Sequence, residues 1–321
     1  MQYRTLGRSG LTVSEIGFGA WGIGGVTSGA TSYGAQDDAV SLAALDQAIV
    51  EGLTFFDTAN VYGDGNSEVL IGKAIAGQRD KVVIATKAGF TTYDQAPNYS
   101  PDWIRHSLEG SLTRLGTSYV DLLQLHIPPL DLLRQDGSIL DTLRGLVSEG
   151  QIRTFGLSVK GVDEGIAAIT EFAVPVLQVN LNMLDIRAVT SSLFALAADR
   201  GTGIIARTPL CFGFLTGTLT ADSEFPADDH RSTWPRVQIR AWADGAAAAL
   251  ALVEARPGQT AVNKALRYCL SYPEVSTVIP GLLTPEQVDE AAATSRLGPL
   301  SMSERGAIEH LNAVCEFFVR R

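Results

Sequence analysis

The chain has 321 residues, of which 45% are hydrophobic and 19% charged, and its formal net charge is −10. That much apolar material supports a large core and excludes wholesale disorder, and the acidic balance argues against non-specific nucleic-acid binding. No apolar run approaches the roughly 18 residues of a membrane span, and the first ten residues lack the apolar centre of a signal peptide, so a cytoplasmic protein is expected. The three cysteines, Cys211, Cys269 and Cys315, have neither disulfide-scaffold nor metal-ligand spacing and read as small apolar residues. Lysine is scarce, 5 against 20 arginines. With abundant alanine, that bias suggests a GC-rich bacterial genome.

In chain order, residues 3–6 and 11–14 flank Gly7-Arg8-Ser9-Gly10 and predict a β-hairpin. One unit then recurs: a short apolar run, a polar turn and a helical pattern. The runs are 15–20, 54–58, 82–87, 120–126, 152–159, 176–182, 203–210 and 275–281. Their near-continuous Val, Ile, Leu and Phe content is that of strands buried on both faces. Helical patterns occupy 37–51, 66–76, 101–115, 138–148, 162–172, 187–199 and about 239–270, and a last helix over 303–319 is expected to pack outside. Eight strands alternating with helices predict one α/β domain over 1–321, a (β/α)8 TIM barrel whose bottom the hairpin caps.

Gly17-Phe18-Gly19-Ala20-Trp21-Gly22 fits GxGxxG. A dinucleotide fingerprint needs a helix to open at once, and no helical pattern begins before Asp37, so a Rossmann site is rejected. These glycines are expected instead to let the backbone approach a ligand at the barrel mouth.

Barrel chemistry sits where strands end. Three successive apolar strands end on Asp57, Lys87 and His126, with Tyr62 in the loop after the first. Singly, these read as a turn cap, a snorkelling lysine and a core imidazole. Together they aim unlike polar groups into one space, and a buried Lys87 needs Asp57 as its partner. A phenol is a poor acid near neutrality, and a neighbouring ammonium is expected to stabilise its phenolate and pull its pKa down. His126 would hydrogen-bond a carbonyl oxygen. The constellation suits protonation of a developing alkoxide, and a hydride donor is the missing part.

At these residues the chain resembles the aldo-keto reductase superfamily, in its bacterial, potassium-channel-β-like and general-stress-protein-like branch. The likeness runs through Phe55-Phe56-Asp57-Thr58-Ala59-Asn60-Val61-Tyr62-Gly63, Ser67-Glu68-Val69-Leu70-Ile71-Gly72-Lys73-Ala74, Ala85-Thr86-Lys87, Asp121-Leu122-Leu123-Gln124-Leu125-His126, Gly156-Leu157-Ser158 and Ile279-Pro280-Gly281. The resemblance implies a barrel binding NADP(H) across its mouth. It implies the tetrad Asp57, Tyr62, Lys87 and His126, with Tyr62 as general acid in reduction. Ser158 and Gln178 match the pair that holds the nicotinamide amide. Arg207 stands where many members stack an aromatic ring. Further cofactor contacts are implied at Ala20, Trp21, Pro209 and Leu210, and in a pyrophosphate loop at Gly213, Leu215 and Gly217. The family's usual basic residues are Thr218 and Leu283 here, leaving Gly281, Gln287 and Glu290, with Arg231 as a candidate phosphate ligand or a surface residue of a solvated lid. NADP(H) is expected over NAD(H).

The function expected is reduction of an aldehyde or ketone by NAD(P)H, or the reverse. A Schiff-base aldolase using Lys87 is a rival, against which Asp57 and Tyr62 argue. A cofactor-binding regulatory subunit with little turnover is the alternative outside catalysis. The expected partner is a small carbonyl or alcohol, with neither nucleic acid nor membrane, no metal site, and a homo-oligomer left open. Loops at 21–34, 90–100, 127–136 and 211–236 are expected to line the substrate site, with Trp21, Phe90, Tyr93, Phe225 and Trp234 as an apolar wall.

Overall fold

The computed structural model describes residues 1–28 and 32–319. Strands β1 (Tyr3–Thr5) and β2 (Thr12–Ser14) pair antiparallel as the expected hairpin. Eight parallel strands follow: β3 (Phe18–Gly19), β4 (Phe55–Asp57), β5 (Val83–Ala88), β6 (Val120–His126), β7 (Ile152–Ser158), β8 (Val176–Asn180), β9 (Gly203–Arg207) and β10 (Val275–Ile279). Each pairs with the next in sequence. Backbone bonds then join the first strand to the last. Gly17 N–H donates to Val278 O at 2.8 Å, Val278 N–H to Glu15 O at 2.9 Å and Gly19 N–H to Pro280 O at 2.9 Å. The ring is thereby closed and offers no long sheet edge. This is the (β/α)8 barrel.

The helices α1 (Asp38–Val50), α2 (Asn66–Ala74), α3 (Pro101–Leu115), α4 (Leu130–Gln135), α5 (Ser138–Ser148), α6 (Val162–Thr170), α7 (Arg187–Thr190), α8 (Leu193–Arg200), α9 (Arg236–Ala251), α10 (Ala261–Leu270), α11 (Pro285–Ala293) and α12 (Met302–Val314) surround it. Their starts carry local reasons. The Asp37 carboxylate accepts from Ala39 N–H, Ser100 caps α3 ahead of Pro101, and Thr284 caps α11 ahead of Pro285. Three helical expectations differ, and two helices are additional. The 187–199 pattern is two helices, and 239–270 is α9 and α10, parted by a stretch holding Pro257-Gly258. Helices α4 and α11 were not among the predicted elements. Helix α12 stops at Val314, and the tail instead packs back, with Phe317 O accepting from Gln238 Nε2 and Val319 N–H donating to Gln238 Oε1. Among the described residues no helix is long and apolar enough to cross a membrane.

Alternation inside the barrel positions the site. Leu6, Leu11 and Val13 of the hairpin pack on Phe55, Ala85, Leu122, Val176, Ile205 and Ile279, an apolar plug at the barrel bottom. Side chains two residues further along a strand share its face. The next inward ring is therefore Asp57, Lys87, Gln124, Gln178 and Arg207. The core turns from apolar to polar in one step along each of these strands.

Candidate active site

Asp57 ends β4 and is 3% exposed, and Lys87 in β5 is 1% exposed. The Lys87 ammonium uses all three donors: on Asp57 Oδ1 at 2.5 Å, Thr58 O at 2.9 Å and the Tyr62 hydroxyl at 3.2 Å. The other oxygen of Asp57 accepts from Gln124 Nε2 at 3.0 Å and Gln178 Nε2 at 2.8 Å. Both members of this ion pair are buried and fully hydrogen-bonded, which is the condition under which a buried charge is tolerated. Burial pulls the Lys87 pKa down, and the Asp57 charge opposes that.

Tyr62 opens a turn in which Gly63 and Asp64 have positive φ. A Cβ on Gly63 would lie 1.9 Å from Gly24 O, so only glycine lets this turn seat against the loop after β3. The expectation that Lys87 lowers the phenol's pKa is not met. Burial pushes Tyr62 above its ordinary range, Asp57 adds to this, and the Arg207 charge works against it. The phenol is held protonated, as a proton donor requires. His126 ends β6, 6.1 Å centroid to centroid from Tyr62 and 4.9 Å from Phe90. Burial first, then the Lys87 and Arg207 charges, holds its pKa well below the usual imidazole value, so it is neutral. Its Nδ1 is buried without a partner among the described residues. Tyr99 steadies the strand end by donating to the carbonyls of His126 and Ile127.

The cofactor positions expected from sequence fall into two groups around this floor. Ser158 donates to Gln178 Oε1 at 3.4 Å, and Gln178 turns its amide nitrogen to Asp57. Arg207 is half-buried and donates to Val159 O at 3.0 Å. Ala20 N–H donates to Asp57 O, and Ala20 O accepts from Ser67. Trp21 sits between Tyr62 at 6.4 Å, Tyr33 at 5.0 Å and His230 at 4.8 Å.

Farther out, Pro209 is buried, and Thr208, Cys211 and Phe212 all have positive φ, a strained run at the top of β9. The Gly213 and Leu215 amides both donate to Leu210 O, so these two groups are spent within the loop, while Gly217 is exposed. Arg231 is not a solvated lid residue: it is half-buried and chelated by Asp229 at 2.6–3.1 Å, with Nη1 on Phe212 O at 3.1 Å. It lies over Tyr33 and Phe225, and an antiparallel bridge joins Tyr33 to Asp229, so the loop crosses the mouth as a strap. Gly281 bridges Gly19. Leu283 N–H donates to Gln287 Oε1, and half-buried Glu290 accepts on its carbonyl from Asn263.

Sequence reasoning passed over Gln124. Its signal was present: a polar residue two places before His126 in an otherwise apolar strand. Of the expected apolar wall, Phe90 stands beside His126 and Tyr93 packs on Phe90, whereas Phe225 and Trp234 pack within the strap. Residues 29–31 of the 21–34 loop lie outside the described residues. Trp234 also lines a cavity of about 540 Å3 with Asn180, Thr208, Phe212, Trp242 and Phe318.

An inward acid, lysine, phenol and imidazole on adjacent strands of a barrel is the geometry that the comparisons bear on. The profile of the Aldo/keto reductase family matches residues 15–313. The chain belongs to this family. The aldo-keto reductase YhdN of Bacillus subtilis is 30% identical over 303 residues, covering 90% of this chain and 87% of that protein. The NADH-specific methylglyoxal reductase of Escherichia coli is 29% identical over 304 residues, covering 90% and 91%. The glycerol dehydrogenase AKR11B4 of Gluconobacter oxydans superposes with a TM-score of 0.80 at 26% identity, covering 99% and 97%. Aldo-keto reductases are NAD(P)H-dependent oxidoreductases acting on small carbonyl compounds, and this chain is an oxidoreductase of that family.

The residues present fit a nicotinamide nucleotide. Arg207 keeps its Nε buried without a partner at the mouth, where an aromatic or anionic group would cover it. The capped N-terminus of α11 adds a second feature suited to an anion. No group of three metal-ligating side chains exists among the described residues.

Proposed function

We propose that the chain reduces an aldehyde or ketone to an alcohol within a single catalytic domain, with Tyr62 as the proton donor. The observation that carries this is the Tyr62 hydroxyl at 3.2 Å from a Lys87 ammonium that is itself locked on Asp57. The nicotinamide cofactor, when bound, supplies the hydride. A substrate carbonyl seated against Tyr62 and His126 gains negative charge on oxygen as it is reduced. Tyr62 hands its proton to that oxygen, and the Lys87 charge stabilises the phenolate left behind. His126, neutral, donates from Nε2 and orients the carbonyl. Phe90, Tyr93 and Trp21 shield the reacting atoms from water.

Ser158 Oγ and Gln178 Oε1 would hold the carboxamide of the cofactor, and the strap with Arg231 would lie over its phosphates. NADPH is preferred to NADH in this reading, by less than about a hundredfold, because one charge-assisted phosphate contact contributes about 1.5–3 kcal/mol and Leu283 and Thr218 supply none. Replacing Leu283 with Arg should tighten NADPH by one to two decades and leave NADH unchanged. Equal tightening of both in a fluorescence titration would remove Leu283 from the 2′-phosphate.

The function is tested by titrating NADPH and NADH and assaying a panel of small aldehydes and ketones with the tighter one. Turnover supports a reductase. Saturable cofactor binding with no turnover across the panel would favour the regulatory-subunit reading instead.

A further inference from the structure

Arg207 is the one member of the inward polar ring that the protein leaves without a counter-charge. It lies two residues beyond Ile205 of the apolar plug, level with Asn180 of β8. No carboxylate lies within 4.0 Å of its guanidinium among the described residues. Its protein contacts are neutral: Val159 O at 3.0 Å and a long 3.5 Å approach to Thr208 Oγ1. Its Nε is buried and unpartnered. The nearest acids are already engaged, Asp57 by Lys87 and two amides, Asp185 by Arg187.

A guanidinium is charged at every working pH, so this charge is permanent and only partly screened. Its field reaches across the mouth: it bears on Tyr62, Lys87 and His126 together. In the closed ring β9 stands three strands from β6 one way round and three from β4 the other, so inward-facing Arg207 and the Tyr62–His126 pair bound one space from opposite sides. A ring that delivers hydride to a carbonyl held by Tyr62 must sit in that space. In hydride transfer a hydrogen nucleus would leave the donor ring with two electrons and bond to the carbonyl carbon, as the carbonyl π pair moves to oxygen. The ring, neutral before, would then be cationic, while Tyr62 protonates the oxygen.

We infer that Arg207 makes the site distinguish the oxidation state of its cofactor, holding the neutral reduced nicotinamide in preference to the cationic oxidised one. This rests on the proposed nicotinamide site. The reduced ring meets the guanidinium without charge conflict, whereas the oxidised ring brings a second positive charge beside Arg207 and Lys87 with Asp57 already spent. Like charges at such range in a partly dry site cost enough to move binding by one to two decades. The two forms carry identical phosphates, so the effect is isolated in the ring. Tight uptake of the reduced form and easy loss of the oxidised one bias turnover toward carbonyl reduction.

The test measures dissociation constants of NADPH and NADP+ by tryptophan fluorescence quenching for the parent, Arg207→Met, Arg207→Gln and Arg207→Lys, without substrate. Thermal melts identify the variants that fold, and Gln, which keeps a donor for Val159 O, stands in should Met not fold. The parent should bind NADPH at least tenfold more tightly than NADP+. A neutral side chain should bring the two constants within about threefold, chiefly by tightening NADP+, and Arg207→Lys should restore most of the gap. Equal shifts of both constants in the neutral variants, or a parent that does not discriminate, overturn the inference while leaving the nicotinamide site standing. Failure of the parent to bind either form saturably overturns the site itself.

Discussion

The polar floor at Asp57 and the rim at Arg207 belong to one ring of inward positions, yet they are finished differently. At the floor every donor of Lys87 and both oxygens of Asp57 are used. At the rim Arg207 has no acid beside it, and the backbone just beyond runs through three left-handed residues, Thr208, Cys211 and Phe212. Both arrangements cost folding energy, but only the floor recovers it from within the chain. A region whose polar groups are all paired is ready before anything binds. A region with groups left over is completed by what binds.

The largest test of this contrast is Tyr62→Phe. It removes a hydroxyl from the floor without disturbing the Lys87–Asp57 pair, so kcat should fall about 10²–10⁴-fold while cofactor affinity stays within twofold. Retained kcat would remove Tyr62 as proton donor. Lys87→Met strikes the pair itself. It leaves a buried carboxylate unpaired, so denaturant melts should show about 3–5 kcal/mol lost and activity abolished. A wild-type midpoint would mean the floor is not pre-satisfied.

Gln124→Leu is a smaller break. Asp57 keeps Lys87 and Gln178, and loses one hydrogen bond to a charged group, worth about 1.5–3 kcal/mol. Gln124→Glu should be worse than Leu, because it sets a second acid against Asp57. The reverse order would place Gln124 outside the network. The smallest effect concerns the strap. His230 is packed among Trp21, Tyr33, Phe212 and Trp234, and burial lowers its pKa from 6.5 to about 4, with Asp229 opposing. Between those values the unfolded chain binds protons that the folded chain refuses. This contribution is therefore complete above pH about 6.5 and lost as pH falls toward 4. His230→Phe should flatten that part of a Tm–pH curve, and an unchanged slope would mean the imidazole is solvated.

The same contrast governs what was legible in the sequence. The rule that barrel chemistry sits at strand ends put Asp57, Lys87 and His126 at one rim, because apolar strands ending on polar residues leave few other readings. The outer contacts depend on which way a polar side chain turns. Gln178 was readable as a site residue, but its amide nitrogen faces Asp57. Arg231 was readable as a cation near a phosphate, but Asp229, two residues earlier, already chelates it. Helix α11, whose start the Thr284-Pro285 pair announces, went unread because Val288 is its one large apolar side chain, too little to show a helical stripe. The acidity of Tyr62 was misjudged for a related reason. A nearby ammonium was visible, but the depth of burial that outweighs it was not.

The seam of the barrel has a consequence for how the protein is made. Ile16 bridges Val278, and Glu15 bonds the same strand, so the ring closes only when the first parallel strand meets the last. Such a contact spans nearly the whole chain and is among the slowest kinds to form. On the ribosome, β3 must wait for β10 with a bare edge exposed, although the strands that carry Asp57, Lys87 and His126 can already pair among themselves. The strands that carry Asp57, Lys87 and His126 are thus synthesised well before the one that seals the ring, and Gln178 of β8, which holds Asp57, comes between them.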